Sequence, residues 1–212
     1  MANPDHVARL LQGTDTWNQW RNKYPFVSPN LSGAYLGWAN LKGVNLSRAN
    51  LSQARLHWAE LADADLTEAD LTHADLKRAN LPRANLRRAI LVDTNLVNAL
   101  LVNADLIGAD LTHADLTHAN LSRAVLVRAI LAETNLTKAI LSEAILVGAL
   151  LTETNLTHTV LSSALLSNGK LGGLDIRRTL WHRQTDPKRA YTKMTCSFAL
   201  LLAIPHLLSQ LA

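Results

Sequence analysis

Leucine recurs at every fifth position through most of this chain, and this spacing constrains the fold more than any other feature. The series runs from Leu31 to Leu171 without a gap, and alanine usually stands two residues before each leucine. The position directly before leucine is often Asn or Asp, as in Ala49-Asn50-Leu51. The repeating unit is therefore an alanine, an Asn or Asp, a leucine and two variable residues.

A period of five matches neither an α-helix, whose faces recur about every 3.6 residues, nor a flat strand, whose faces recur every second residue. We therefore expect the chain to turn regularly, so that each leucine and the alanine before it point to a shared interior. A longer period is also present, because the string 70–76 recurs at 110–116 and Trp38 is 20 residues before Trp58. These recurrences at multiples of 20 residues predict a coil of four pentapeptides.

The run of repeats resembles the pentapeptide-repeat family, and the segment before it is similar to the lead-in of many cyanobacterial members. The resemblance implies an all-β fold, a right-handed quadrilateral β-helix or solenoid with one pentapeptide on each side. We assign the solenoid to residues 29–175, or about seven coils. Residues 1–28 are expected to form an N-terminal helical cap, and residues 176–212 a basic linker and an apolar C-terminal helix.

The leucines are expected to fill the interior as a ladder, because an apolar side chain is stabilised when it leaves water. An open end of such a tube exposes leucine side chains and unpaired backbone, so each end needs a cover. One column of the expected core ladder consists of Leu71, Leu91, Leu111, Leu131 and Leu151.

At the N-terminal end the sequence predicts two short helices. Asn3 followed by Pro4 is typical of a helix start, and Thr14 or Asp15 is expected to cap a second helix. Aromatic residues on one face of this second helix are expected to plug the first coil. They are Trp17, Trp20 and Tyr24.

The position before each leucine and the two positions after it are expected to face solvent. From residue 90 onward, three of the four columns before leucine contain aliphatic residues, whereas the fourth stays polar. A soluble monomer rarely exposes so much contiguous aliphatic surface. The pattern predicts an interface with a second copy or with another protein, although β-branched residues also suit a strand-like ladder. The interface residues are Ile90, Ile130, Leu150, Leu100, Ile140, Val160, Val125, Ile145 and Leu165.

No residue pattern indicates catalysis. Cys196 is the single cysteine, which argues against a cysteine-rich metal site. His73 and His113 share a column but are two coils apart, too far to hold one ion, and His57 has no partner in the pattern. We predict no catalytic, cofactor or metal residues, and we do not expect an enzyme.

We therefore expect a non-catalytic scaffold that binds an unidentified protein partner, or a second copy of itself, through its outer faces. The alternative from another class is a DNA-mimicking regulator of a type II topoisomerase (gyrase), because the resemblance extends to family members that act in this way. DNA mimicry needs a strongly negative rod, whereas residues 31–175 contain 12 Lys or Arg against 14 Asp or Glu. No nucleic-acid partner is expected, and Trp38 and Trp58 are expected to stack on adjacent coils.

The basic residues are concentrated in residues 176–212, which contain 6 Lys or Arg against 1 Asp. They precede an apolar stretch, residues 194–212. This stretch has three interpretations: a capping or dimerising helix, a membrane anchor, or a disordered end. The stretch is near the lower length limit for a membrane span, and Pro205 interrupts it. No signal peptide is visible, so the expected location is the cytoplasm, with membrane association through this stretch as the alternative.

Deletion of residues 194–212 separates these interpretations. If the stretch is an anchor, the full-length protein sediments with membranes in a fractionated lysate and the shortened protein does not. If the stretch is a dimerising helix, the deletion lowers the assembly mass measured by light scattering. Full-length protein recovered entirely in the soluble fraction contradicts the anchor.

Overall fold

The structure is a computed structural model that describes residues 1–169. Two short helices, α1 (Pro4–Leu11) and α2 (Thr14–Lys23), precede a regular series of turns and single β-bridges that begins at Asn30. The predicted basic linker and C-terminal helix lie outside the described residues, as does the end of the predicted solenoid.

The solenoid is built from parallel bridges between residues 20 positions apart; the first joins Asn30 to Asn50 and the last joins Ile145 to Leu165. The bridging residues form four columns, and each column passes through seven coils. Every bridge is an isolated pair rather than part of an extended strand, because a five-residue repeat with two residues in a turn leaves only three for each side. We number the sides 1 to 4 by the columns that begin at Asn30, Tyr35, Asn40 and Asn45.

A β-turn at each corner connects one side to the next. The alanine N–H donates to the carbonyl of the preceding leucine, as Ala34 does to Leu31 at 3.0 Å. The second turn residue has a positive φ at every described corner, from Gly33 to Asn168. None of these residues is Val, Ile or Thr, although such residues are frequent at the first turn position, where Pro82 also lies. This is the pattern of type II turns, in which the second residue disfavours β-branched side chains.

The leucines and alanines of the repeat line the interior of the tube. At four buried positions threonine replaces alanine, and each hydroxyl donates to a leucine carbonyl of the preceding coil. Thr134 Oγ1, for example, lies 2.7 Å from the Leu111 oxygen, so the buried hydroxyl keeps a hydrogen bond. The predicted core-ladder residues are at most 2% exposed: Leu71, Leu91, Leu111, Leu131 and Leu151.

The first helix begins as predicted, with Asn3 accepting backbone N–H groups of the first turn and Pro4 as the first helical residue. The start of α2 differs from the prediction. Its N-cap is Gly13, with a φ of +115°, and no side chain caps it. The tight link between the helices needs a backbone conformation that residues with a side chain rarely adopt. Thr14 and Asp15 therefore lie inside the helix and do not cap it.

The helices pack on the first coil through Leu10 and Trp17. Both side chains belong to the buried cluster that contains the repeat leucines, and Trp17 is 0% exposed. Its indole N–H donates to the Asn45 carbonyl at 2.7 Å. Trp20 is partly buried against this cluster, whereas Tyr24 is 44% exposed. Of the three predicted aromatic residues, Trp17 therefore makes the main contact with the first coil.

Arg21 is a buried residue that the sequence pattern did not indicate. Its guanidinium donates to the Val27 carbonyl and, at 2.9 Å, to the Ser47 carbonyl. Burial lowers the pKa of Arg21, and the nearby Arg48 lowers it further. The side chain joins α2, the loop after it and the first coil.

The turn conformation predicts which corner substitutions destabilise the fold. Arg128 has a φ of +56°. We expect R128V to lower the free energy of unfolding by about 1–2 kcal/mol relative to R128N, because asparagine tolerates this conformation and valine does not. The matched control is S142V at a first turn position, where the same column already contains Val102; it should be nearly neutral. Equal urea-unfolding midpoints for R128V and R128N would contradict the turn assignment.

Candidate functional site

Where the residue before leucine is Asn or Asp, its side chain usually accepts a hydrogen bond from the following turn; Asn80 does not, because Pro82 in that turn has no N–H. The Asp65 Oδ1 accepts the Thr67 N–H at 3.0 Å and the Thr67 hydroxyl at 2.6 Å. The same arrangement recurs in later coils, for example between Asp115 and Thr117. The side chain thus stabilises the corner. Most of these residues are half-buried, because the side chain lies along the turn that it stabilises.

Aliphatic residues at this position cannot accept that hydrogen bond. Ile90 and Leu100 are 43% and 46% exposed, and Ile140 and Leu165 are 37% and 39% exposed. Each replaces a turn-stabilising acceptor with apolar surface that stays partly in water. The hydrogen bonding of the turn therefore gives no reason for the change from polar to aliphatic residues.

Five of the nine predicted interface residues meet at the corner between sides 4 and 1. On each side they are consecutive bridge partners, as are Val125 and Ile145 on side 4 and Ile130 and Leu150 on side 1. Three aliphatic residues at the first turn position lie between the two sides and complete the patch. We call this surface the aliphatic corner. It consists of Ile107, Val125, Val127, Ile130, Ile145, Val147, Leu150 and Leu165.

The three turn residues were missed because the sequence analysis followed the position before leucine. The position after leucine, followed every 20 residues, contains Arg87, Ile107, Val127 and Val147. All three aliphatic residues are partly exposed. This second aliphatic column, adjacent to the first, was the signal that could have found them.

The other four predicted interface residues do not join the aliphatic corner. Leu100, Ile140 and Val160 lie on side 3, where Asn120 separates the first two. In the later coils the corner between sides 3 and 4 is polar, with Ser122 and Ser142 at the first turn position and an Arg–Glu ion pair at the second. Ile90 lies on side 1 with an aspartate on either side of it in the column. The predicted interface is therefore divided into one contiguous patch and isolated residues.

Charged residues at the second turn position pair between coils. Arg83 donates from Nε and Nη2 to the two Asp63 carboxylate oxygens, at 2.6 and 2.7 Å, and Arg123 donates to Glu143 at 2.9 Å. The hydrogen bond from Arg83 lowers the pKa of the Asp63 carboxyl. Both pairs are exposed to solvent, so each contributes little to the stability of the fold.

The exposed aromatic residues of the first coils do not pair as predicted. Among the described residues, Trp38 and Trp58 make no ring contact with each other. Trp38 stands edge-on to His57, with 4.4 Å between ring centroids, and Arg78 lies over the Trp58 ring at 4.8 Å. His57, which had no expected partner, also approaches an Asp75 oxygen at 3.6 Å.

The histidines of the described surface lie apart from one another. Within residues 1–169 no group of His, Cys, Asp or Glu side chains is arranged to hold a metal ion. His73 and His113 each approach a carboxylate one coil away, at 3.8 and 3.4 Å, and not each other. The helices α1 and α2, which are those of the described part, are too short and too polar to cross a membrane.

The Arg83–Asp63 pair predicts a measurable shift in titration. R83Q should raise the pKa of Asp63 toward the ordinary carboxyl value, because the charged form loses its hydrogen-bond donors. A carboxyl whose pKa is lowered by folding stabilises the fold above its unfolded-state pKa, and this contribution is lost as the pH falls through the folded value. Any stability difference between R83Q and wild type should therefore be seen at neutral pH and vanish in acid. NMR titration of the Asp63 carboxyl measures the shift, R128Q is the control, and an unchanged Asp63 pKa contradicts the pairing.

The repeat pattern matches a known protein family. The profile described as pentapeptide repeats matches eight copies, in residues 30–67, 64–103, 104–142 and 144–180. No curated protein matches the chain significantly.

Solved structures similar to the chain are repeat proteins of the same kind. HetL of Nostoc sp. strain PCC 7120, described as involved in heterocyst differentiation regulation, is 30% identical, with 74% of this chain and 86% of HetL covered and a TM-score of 0.36. A thylakoid lumen protein of Arabidopsis thaliana is 33% identical over 44% of this chain and 68% of its own, with a TM-score of 0.37.

A trypsin-treated variant of QnrB1, described as a plasmid-mediated fluoroquinolone resistance protein, is 21% identical, with 78% of this chain and 94% of its own covered. Its TM-score of 0.53 shows a shared fold, the right-handed quadrilateral β-helix that the repeat predicts. The chain belongs to the pentapeptide repeat family.

Proposed function

We propose that the chain is a non-catalytic scaffold that binds another protein, or a second copy of itself, through the aliphatic corner of its later coils. The observation that carries the proposal is the contiguity of eight aliphatic side chains across two sides of the solenoid and the corner between them. They occupy consecutive coils, so their side chains form one surface rather than scattered apolar positions.

The folding of the chain does not require this surface. The same positions in the first coils contain Asn45, Asn50 and Asp65, which cap their turns through hydrogen bonds. The bridges form equally well with polar residues, since side 2 carries Asn or Asp from Asp75 to Asn155 and is paired throughout. Burying aliphatic side chains against a partner removes apolar surface from water and stabilises the complex.

The alternative role as a gyrase regulator by DNA mimicry has weaker support. The similarity to QnrB1 concerns the fold, and a mimic of DNA needs a dominant negative charge. In the solenoid, acidic residues such as Asp63 and Glu143 are neutralised by arginines of neighbouring coils. A supercoiling assay with purified gyrase, in which the protein has no effect, is the outcome expected from the scaffold proposal.

We place this scaffold in the cytoplasm of a cyanobacterium, because the segment before the repeats is similar to the lead-in of cyanobacterial family members. A tether through residues 194–212 is a separate hypothesis, which the fractionation experiment above tests.

Replacing Ile130, Ile140 and Ile145 with asparagine tests the proposed interface. Asparagine restores the turn-capping acceptor, so the thermal midpoint should be unchanged or slightly higher. The assembly mass measured by light scattering should fall to that of a monomer, or the complex recovered by cross-linking in the native host should be lost. Removing central apolar contacts of an interface typically weakens binding by about tenfold or more.

Two matched variants locate the effect. The double variant I130N/I145N should reproduce most of it, because both residues lie in the aliphatic corner, whereas I140N alone should have little effect because it lies on side 3. An unchanged assembly mass together with unchanged cross-linked complexes in the triple variant contradicts the proposal.

A further inference from the structure

We propose that the first three coils carry a second binding surface, an aromatic and cationic patch that binds an acidic peptide segment of a partner protein. The patch lies on side 2 and on the corner between sides 2 and 3. It is a grid of three residues in each of three coils: Tyr35, Gly37 and Trp38, then Arg55, His57 and Trp58, then Asp75, Lys77 and Arg78. We call it the aromatic grid.

The aromatic grid contains all the Tyr and Trp residues of the described solenoid. Tyr35, Trp38 and Trp58 are the only Tyr, Trp or Phe residues between positions 29 and 169. They are 63%, 66% and 46% exposed. The helical cap does not account for them, because its hydrogen bonds to the solenoid go to side 4, to the two corners that flank it and to the start of side 1.

The rings are held in place by neighbouring coils. Arg55 lies over the Tyr35 ring at 5.2 Å, and Arg78 lies over the Trp58 ring at 4.8 Å. The His57 imidazole packs edge-on against Trp38. Such cation–π and edge contacts reduce the freedom of the side chains before a partner arrives, which lowers the entropy cost of binding.

Gly37 makes room for this packing. A side-chain carbon at position 37 would lie 2.8 Å from two atoms of the His57 ring, closer than real contacts allow. The imidazole therefore rests directly on the backbone of the coil before it. The absence of a side chain at this position is part of how the grid is built.

The cations of the aromatic grid outnumber its one carboxylate, Asp75, which lies next to Arg55 in the column and approaches His57 at 3.6 Å. Arg55, Lys77 and Arg78 form no ion pair within residues 1–169, whereas Arg83 and Arg123 at other corners are each paired with a carboxylate of a neighbouring coil. In the column of Arg78 the neighbouring coils contribute Trp58 and Asn98, which cannot neutralise it. A guanidinium that lies on a ring keeps its N–H donors available for a carboxylate. The charge of the grid therefore favours an acidic ligand.

The chemistry favours a peptide over a nucleic acid. A single strand needs a continuous basic groove along its phosphates, but the cations here extend over only two coils. The corner on the other edge of side 2 carries Asp93, Glu133 and Glu153 in later coils, and these would repel a longer phosphate chain. An acidic peptide with apolar or aromatic residues needs only two or three carboxylates and can pack its other side chains on the rings. His57 and Trp58 border a shallow depression together with Asp75, Lys77 and Arg78, so the rings and the cations are accessible from the same direction.

This surface is independent of the aliphatic corner. The corner between sides 2 and 3 is diagonally opposite the corner between sides 4 and 1, and the two patches occupy different coils. Both partners can therefore bind to one molecule at the same time.

The test uses the full-length protein and a short fluorescein-labelled peptide that alternates glutamate with phenylalanine. We expect saturable binding by fluorescence anisotropy that weakens as salt is added. W38N/W58N and R55N/R78Q should each raise the Kd by about tenfold. These replacements suit the backbone, because Asn98 and Gln53 occupy the same turn position and Asn95 follows in the column of Arg55.

Three controls make the outcome decisive. R128Q removes an arginine at another corner and should leave the Kd unchanged, as should I130N/I145N, which distinguishes failure of this inference from failure of the scaffold proposal. A peptide with lysine in place of glutamate should not bind. Absence of saturable binding, equal binding of the lysine peptide, or displacement of the acidic peptide by an oligothymidylate that binds more tightly would overturn the inference.

Discussion

On each side of the tube, backbone hydrogen bonds at a single β-bridge join one coil to the next. The arrangement of residues on the surface depends on the regular repetition of these bonds. The Leu31 N–H donates to the Asn50 carbonyl at 2.7 Å, and the Asn50 N–H donates to the Pro29 carbonyl at 2.8 Å. The same pair of bonds repeats on each side of the coils. Because each bridging residue of the solenoid pairs with the residue 20 positions later, as Asn30 does with Asn50, the sequence alone sets which residues share a surface column. The outer residues are thus free to vary while the interior stays uniform.

The positive-φ residue at most corners carries a large polar or aromatic side chain, although its backbone conformation favours glycine. This position costs conformational free energy for any residue other than glycine, yet the chain fills it with Trp, Arg, His and Glu. The backbone there points these side chains away from the core and stacks them on the equivalent residue one coil away. The corner pairs Arg83–Asp63 and Arg78–Trp58 are products of this stacking. The exposed charged and aromatic contacts of the surface therefore lie mainly at the corners rather than on the flat sides.

The period of five and its multiple of 20 were sufficient to predict the coil, the inward leucines and the column order. Two features required the structure. Gly13 rather than Thr14 or Asp15 is the N-cap of α2, because the cap depends on the angle between two helices, which no local pattern encodes. The buried position of Arg21 depends on where α2 packs, and its sequence context is that of a surface helix.

The candidate surfaces were predictable only in part, for a different reason. Ile130 and Ile145 could be selected from one column, but their contiguity depends on Val127 and Val147 in the neighbouring column. The aromatic grid was also only partly visible, because Trp38 and Trp58 suggested stacking on each other. In the structure His57 occupies the space beside Trp38, and Gly37 makes this possible. Contacts between different columns are not visible in a pattern that treats each column separately.

The pairing of residues 20 apart has a consequence for how such a chain can change length. Insertion or loss of a single pentapeptide keeps the leucines inside, but it rotates every later residue by one side of the square. The aliphatic corner would then lie a quarter turn away from its present angle to the aromatic grid. Only changes of whole coils preserve the relative orientation of the two surfaces, so a lineage that uses both at once is expected to gain or lose repeats four at a time.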